Sequence, residues 1–174
     1  MACYDRYRNG IIPGRTGGKW YEQDGNGANY LCLPETPVYD TVEDNVQSYR
    51  GFVYSAEYST SEFPPLSSVH DHDVPCAVCE VNRGKILMIP ATNICPSGWI
   101  REYYGYLMSE YYNRGSPTEF VCVDRNPDVV PGTGDNRQGV HLCPVEGRCD
   151  YDRGSLPCGP YVNGAELSCV VCSK

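Results

Sequence analysis

Apolar positions fall into short runs separated by turn residues. KILMIPA (85–91), TEFVCVD (118–124), GFVYSAEY (51–58), PCAVCEV (75–81) and LSCVVCS (167–173) are rich in Val, Ile, Tyr and Phe. Gly, Pro, Asn and Asp bound them, and this combination predicts strands. The 14 Pro and 18 Gly punctuate nearly every segment. One stretch, REYYGYLMSEYY (101–112), suits a helix by length. Its Gly105 and many Tyr suit a strand or bent ribbon equally. The longest apolar patch, Ile86 to Ile89, is strand length. No run approaches the roughly 18 residues of a membrane span. The expectation is a mostly β, disulfide-stapled fold with long ordered loops.

The same plan recurs along the chain. DVPCAVCEV (73–81) and ELSCVVCSK (166–174) each read acid, two residues, Cys, a small or β-branched pair, Cys. Cys3 aligns with Cys95, Gly14 with Gly105, and Trp20-Tyr21 with Tyr111-Tyr112. NYLCLPETP (29–37) aligns with EFVCVDRNP (119–127), and Glu57 with Glu146. The agreement of independent positions predicts two pseudo-repeated halves, 1–85 and 86–174, packed as one compact unit.

The halves carry four matched cysteines each: Cys3, Cys32, Cys76, Cys79 and Cys95, Cys122, Cys169, Cys172. Eleven cysteines in 174 residues argue for disulfides and an oxidising, extracellular compartment. Within each half the connectivity stays open. Cys149 and Cys158 flank a turn-rich loop and are expected to close it. Cys143 is then odd, either free and buried or linked to another chain. The two CxxC pairs stand too far apart for ordinary zinc-ligand spacing. Their Val-rich flanks also suit strands better than the helix start of a redox motif. The opening MACYDRYRNG lacks the apolar core of a signal peptide and reads as the start of a mature or recombinant chain.

Charge then narrows the partners. A formal net charge of −8 argues against nucleic acid, which needs clustered Lys and Arg. It permits hard-cation binding. Fifteen Tyr against three Phe suit half-buried surfaces and binding faces. No nucleophile elbow, zinc-protease helix or P-loop motif is present, so an enzyme is not expected.

Two stretches read as binding loops: GRTGGKWYEQDGNGANY (14–30) and SEFPPLSSVHDHDVP (61–75). The first offers an aromatic face, Trp20 and Tyr21, beside Glu22, Asp24, Asn26 and Asn29. Aromatic surface with planar carboxylates and amides suits sugar hydroxyls. The second offers His70, Asp71, His72 and Asp73. If extended, this segment would point Asp71 and Asp73 one way and His70 and His72 the other. Aligned carboxylates suit Ca2+. The expected sugar contacts are Trp20, Tyr21, Glu22, Asn29, His70 and His72. The expected metal ligands are Asp24, Asn26, Asp71 and Asp73. An ordinary solvated turn is the competing reading of both loops.

GANYLCLP, HDHDVPCAVC, CPSGWIREYYGYLMSEYY, TEFVCVD and ELSCVVCSK together resemble the cysteine-rich domain of invertebrate short-chain collagen C4-like proteins. The resemblance spans nearly the whole chain from Cys3. It departs at RCDYDRGSLPC, which carries an insertion, and at the extra Cys143. There is no Gly-X-Y run. Some stand-alone members of the group, from sea anemones and sponges, are lectins. The resemblance therefore implies a galactose-binding, Ca2+-coordinating homodimer whose partners are glycans with terminal galactose or a related sugar. The rival expectation is an extracellular-matrix module that assembles collagen-like chains, with Cys143 as an interchain link.

Overall fold

The computed structural model describes residues 11–40, 43, 45–136, 139–149 and 154–174. Cys3 lies outside them. Among the described residues, nine strands form one curled sheet: β1 (Ile11–Gly18), β2 (Leu31–Pro34), β3 (Tyr54–Tyr58), β4 (Pro75–Cys79), β5 (Ile86–Pro90), β6 (Ile100–Ser109), β7 (Val121–Asp124), β8 (Val140–Pro144) and β9 (Ser168–Ser173). The spatial order is β2-β1-β3-β8-β6-β9-β5, with β4 also pairing β1 and β7 also pairing β6. A single short 3-10 helix, Pro64–Val69, is present among the described residues. Strands of both halves share this sheet, joined where β3 runs parallel to β8.

The β-branched runs become β3, β4, β5, β7 and β9, as their composition predicts. The ambiguous segment from residue 101 is strand β6. Tyr103, Gly105 and Leu107 are buried while the residues between them are partly exposed, the period of two that a strand requires. Two stretches read as loops are more ordered than expected. Residues 14–18 belong to β1, and residues 64–69 form the 3-10 helix. Strand propensity misses β1 because three glycines replace the usual bulky residues.

The reason for those glycines is close approach. A Cβ on Gly14 would stand 2.1 Å from the Leu33 carbonyl oxygen, and one on Gly105 would stand 1.9 Å from that of Val123. In both places a disulfide draws the two flanking strands together across the middle one. Cys32–Cys76 joins β2 to β4 beside Gly14, and Cys122–Cys169 joins β7 to β9 beside Gly105. The Cα separation is 5.7 Å in each. Two flat strands flanking a third would stand about 9.5 Å apart. The flanking strands therefore fold over the central one, and only a residue without a side chain leaves them room.

Cys95–Cys172 and Cys149–Cys158 complete the bridges among the described residues. Cys79 is also disulfide-bonded. Each CxxC pair thus serves as bridge ends, with its first cysteine on the half's second matched one. Cys143 is a free, partly buried thiol. The largest core cluster gathers Ala56, Tyr58, Phe63, Leu66, Met108, Val140 and Leu142 around the β3–β8 junction. A second cluster packs Tyr103, Leu107 and Val171 around the Cys122–Cys169 bridge.

Candidate functional site

The loop at 20–30 leaves the end of β1 and lies against the turn that follows β6. The Ser116 hydroxyl donates to the Asp24 carbonyl. The Glu119 amide donates to the Ala28 carbonyl at 3.1 Å. The Glu119 carboxylate receives the Tyr30 amide at 2.9 Å and the Asn29 side chain at 3.4 Å. On the other flank the Asn26 amide donates to the Phe52 carbonyl. Asn26 adopts φ 94°, a left-handed conformation that Asn tolerates better than most residues. The loop is therefore anchored on both sides by distant segments while Glu22, Asp24, Asn26 and Asn29 stay exposed.

Its aromatic residues are set differently from one another. Trp20 is half-buried and packs on Tyr54, ring centres 5.7 Å apart. Tyr21 is buried. It lies between the Arg114 guanidinium, 4.3 Å above its ring, and the His141 ring, 4.9 Å away. Its hydroxyl donates to Glu22 at 3.0 Å. Tyr111 and Tyr112 stand exposed beside Arg114, their rings 4.7 Å apart. The available aromatic surface of this region is thus Trp20 with Tyr111 and Tyr112, while Tyr21 supports it from beneath.

Beneath Tyr21 lies a charged cluster that no sequence motif announces. His141 Nε2 is 3.3 Å from Glu57 Oε1, and Nδ1 is 3.3 Å from Glu110 Oε1. Both carboxylates are buried. The parallel register of β3 and β8 sets Glu57 opposite His141. Glu110 follows the last residue of β6 and also accepts the backbone amides of His141, at 3.1 Å, and Tyr111, at 2.9 Å. Burial pushes the Glu110 carboxyl up, but the bonds from the His141 ring and these amides outweigh it and hold it below the usual carboxylate range. Burial also pushes the Cys143 thiol up to about 11, close to Ser59, Glu110 and Arg114.

The second predicted cluster occupies the opposite end of β3. Trp20 packs at Tyr54, whereas the Asp71 amide donates to the Tyr58 carbonyl and the Tyr58 amide to the His72 carbonyl. The strand between spans roughly 13 Å, so the two groups stand apart. Nor is residues 70–72 an extended segment. Asp71 sits at φ 60°, which breaks the alternation expected of its neighbours. His70 Nδ1 accepts the Thr60 amide at 3.1 Å, and its Nε2 lies 3.4 Å from Asp71. His72 Nδ1 meets the His70 carbonyl at 3.0 Å. Asp73 is buried, 3.4 Å from Arg15, and its backbone amide bonds to Thr133. Among the described residues, no three His, Cys, Asp or Glu side chains converge to hold a metal. Ca2+ also takes carbonyl and amide oxygens, of which the 20–30 loop has several.

No family model matches the chain, and no solved structure matches it.

Proposed function

We propose that the chain is a secreted carbohydrate-binding protein, a lectin for terminal galactose-type sugars that acts as a homodimer with the help of Ca2+. The observation that carries this reading is the 20–30 loop. It holds exposed carboxylates and amides, Glu22, Asp24 and Asn29, near half-exposed Trp20 and the Tyr111–Tyr112 pair, and it is anchored on both flanks. An aromatic face with planar hydrogen-bonding groups suits a sugar ring. Anchoring lowers the ordering cost of binding. Asp24 and the neighbouring amide and carbonyl oxygens would supply Ca2+ ligands. The motif resemblance to stand-alone lectins of the short-chain collagen C4-like group supports the same reading. Several disulfides, and the absence of any helix long and apolar enough to cross a membrane among the described residues, are compatible with secretion. The exposed apolar edge of Ile86, Leu87 and Met88 on β5 supports the homodimer.

The test is a glycan array with Ca2+ and again with EDTA, alongside Trp20→Ala. The expected result is selective binding to galactose-terminated glycans, lost in EDTA and weakened by the substitution. Selective binding indifferent to EDTA would remove the metal and keep the lectin. Silence on every glycan would overturn the lectin and favour the matrix-module reading.

A further inference from the structure

Strand β6 carries an irregularity between Arg101 and Tyr103 in its pairing with β9. Arg101 stands opposite Cys172 and Tyr104 opposite Val170, alternate residues of β9 that share a face. The bulge thereby sets Arg101 and Tyr104 on one face although three positions separate them. Glu102 is committed elsewhere: its carboxylate accepts from the Arg83 guanidinium and the Ser173 hydroxyl. The Arg101 guanidinium lies 4.7 Å from the centre of the Tyr104 ring. A second guanidinium, of Arg125 just beyond β7, comes within 6.0 Å of the same ring centre. The Arg125 amide donates to the Tyr104 carbonyl at 3.1 Å, which fixes its approach. Two exposed like charges thus converge on one half-buried ring, and their mutual repulsion is uncompensated by the chain. The sequence holds 22 acidic residues against 14 Lys and Arg. Even so, neither guanidinium meets a carboxylate among the described residues: Arg101 donates to the neutral Asn93 carbonyl at 3.2 Å, and the Arg125 side chain makes no hydrogen bond. Asp124, next in sequence, stands opposite Gly105, on the Tyr103 side of the sheet, and accepts the Asn126 amide at 2.8 Å.

We infer that Arg101 and Arg125 form a subsite for a tetrahedral oxoanion, the sulfate or phosphate ester of a sugar, with Tyr104 as the platform on which both guanidiniums rest. Each guanidinium is a planar fork whose N–H groups match such oxygens two at a time. A bound oxoanion also cancels the repulsion between the two cations. Stacking on the ring restricts both side chains beforehand and so lowers the ordering cost of binding. The subsite lies near the start of β6, whereas the 20–30 loop meets the turn after its end, roughly 20 Å along the strand. The anion subsite therefore stands on the two arginines alone. The sugar-binding reading supplies only the molecule that carries the ester.

Calorimetric titration of the full chain with inorganic sulfate, inorganic phosphate, galactose, a galactose sulfate ester and a galactose phosphate ester separates the two parts. An anion is expected to bind, and Arg125→Gln to weaken it about tenfold or more, on the scale of one charge-assisted hydrogen bond. The same variant should leave galactose binding unchanged. The tighter of the two esters identifies the source as sulfate or phosphate. Anion binding with galactose silent would keep the subsite and overturn the lectin. Galactose bound as tightly as both its esters, with the inorganic anions silent, would overturn the subsite and leave the lectin standing. Anion binding unchanged in Arg125→Gln would place the anion elsewhere and overturn the subsite. Silence of all five ligands would overturn both. Modification of the unaltered protein by phenylglyoxal, located by peptide mass, decides the matter even if the variant fails to fold. The anion should protect Arg101 and Arg125 and leave the exposed Arg50 reactive, and equal modification with and without anion would refute the subsite.

Discussion

The Glu110 carboxylate grips His141 twice, meeting the ring Nδ1 at 3.3 Å with one oxygen and receiving the backbone amide at 3.1 Å with the other. Glu57 takes Nε2 from the far side. The ring therefore rivets β3, β8 and the end of β6 together where the two halves of the chain meet. A doubly protonated ring donates to both carboxylates, whereas a neutral ring has one N–H to offer.

The first prediction concerns acid. Glu110 is held below its ordinary carboxylate range in the folded protein. Its contribution to stability is therefore complete above the unfolded value and is lost as pH falls through the lower folded value. Glu110→Gln should cost about 2 to 3 kcal/mol at neutral pH, the scale of hydrogen bonds to a charged group. The gap from the unaltered protein should narrow as pH falls below 4. Urea unfolding at pH 7 and pH 3.5 would check this, and a gap of constant size would refute it.

Glycine substitutions should divide sharply by position. Gly105→Ala forces a methyl group into the Val123 backbone and should destabilise by about 3 kcal/mol, the upper range of overpacking, or prevent folding. Gly14→Ala should behave alike. Gly84→Ala meets nothing within 4 Å and should change stability by less than about 0.5 kcal/mol. Thermal unfolding of the three variants provides the comparison.

The disulfides should differ in worth. Cys149–Cys158 closes a separation of 9 residues and Cys122–Cys169 one of 47. Chain entropy alone makes the longer bridge worth about 1.5 kcal/mol more. The core position of Cys122 and Cys169 widens the difference. Paired Cys→Ser variants, unfolded in guanidinium, should rank in that order; the reverse order would mean that the long bridge strains the folded strands.

Cys143 should react slowly while the protein is folded. With its thiol pushed up to about 11, little thiolate exists at neutral pH, and thiolate is the reactive form. Alkylation at pH 8 should be slow in buffer and fast in urea, with the rate in buffer rising as pH is raised towards 10. A covalent dimer on a nonreducing gel, lost in Cys143→Ser, would instead assign this cysteine to an interchain link.

Local composition determined much of this protein. β-Branched and aromatic runs became strands because such residues suit a pleated, half-buried surface. Both CxxC segments became strands whose cysteines end bridges, and the Cys149–Cys158 loop closed as its spacing suggests. Tertiary structure decided the rest. The glycine-rich β1 is a strand because neighbouring backbones close upon it, a constraint that propensity does not contain. Glu57, Glu110 and His141 meet through the parallel β3–β8 register and the end of β6, and their distant positions form no motif. The two predicted polar loops were separated by the length of β3, and the left-handed turn at Asp71 undid the expected alternation there. Lys19 looks in sequence like any solvated lysine; packing at the end of β1 buried it.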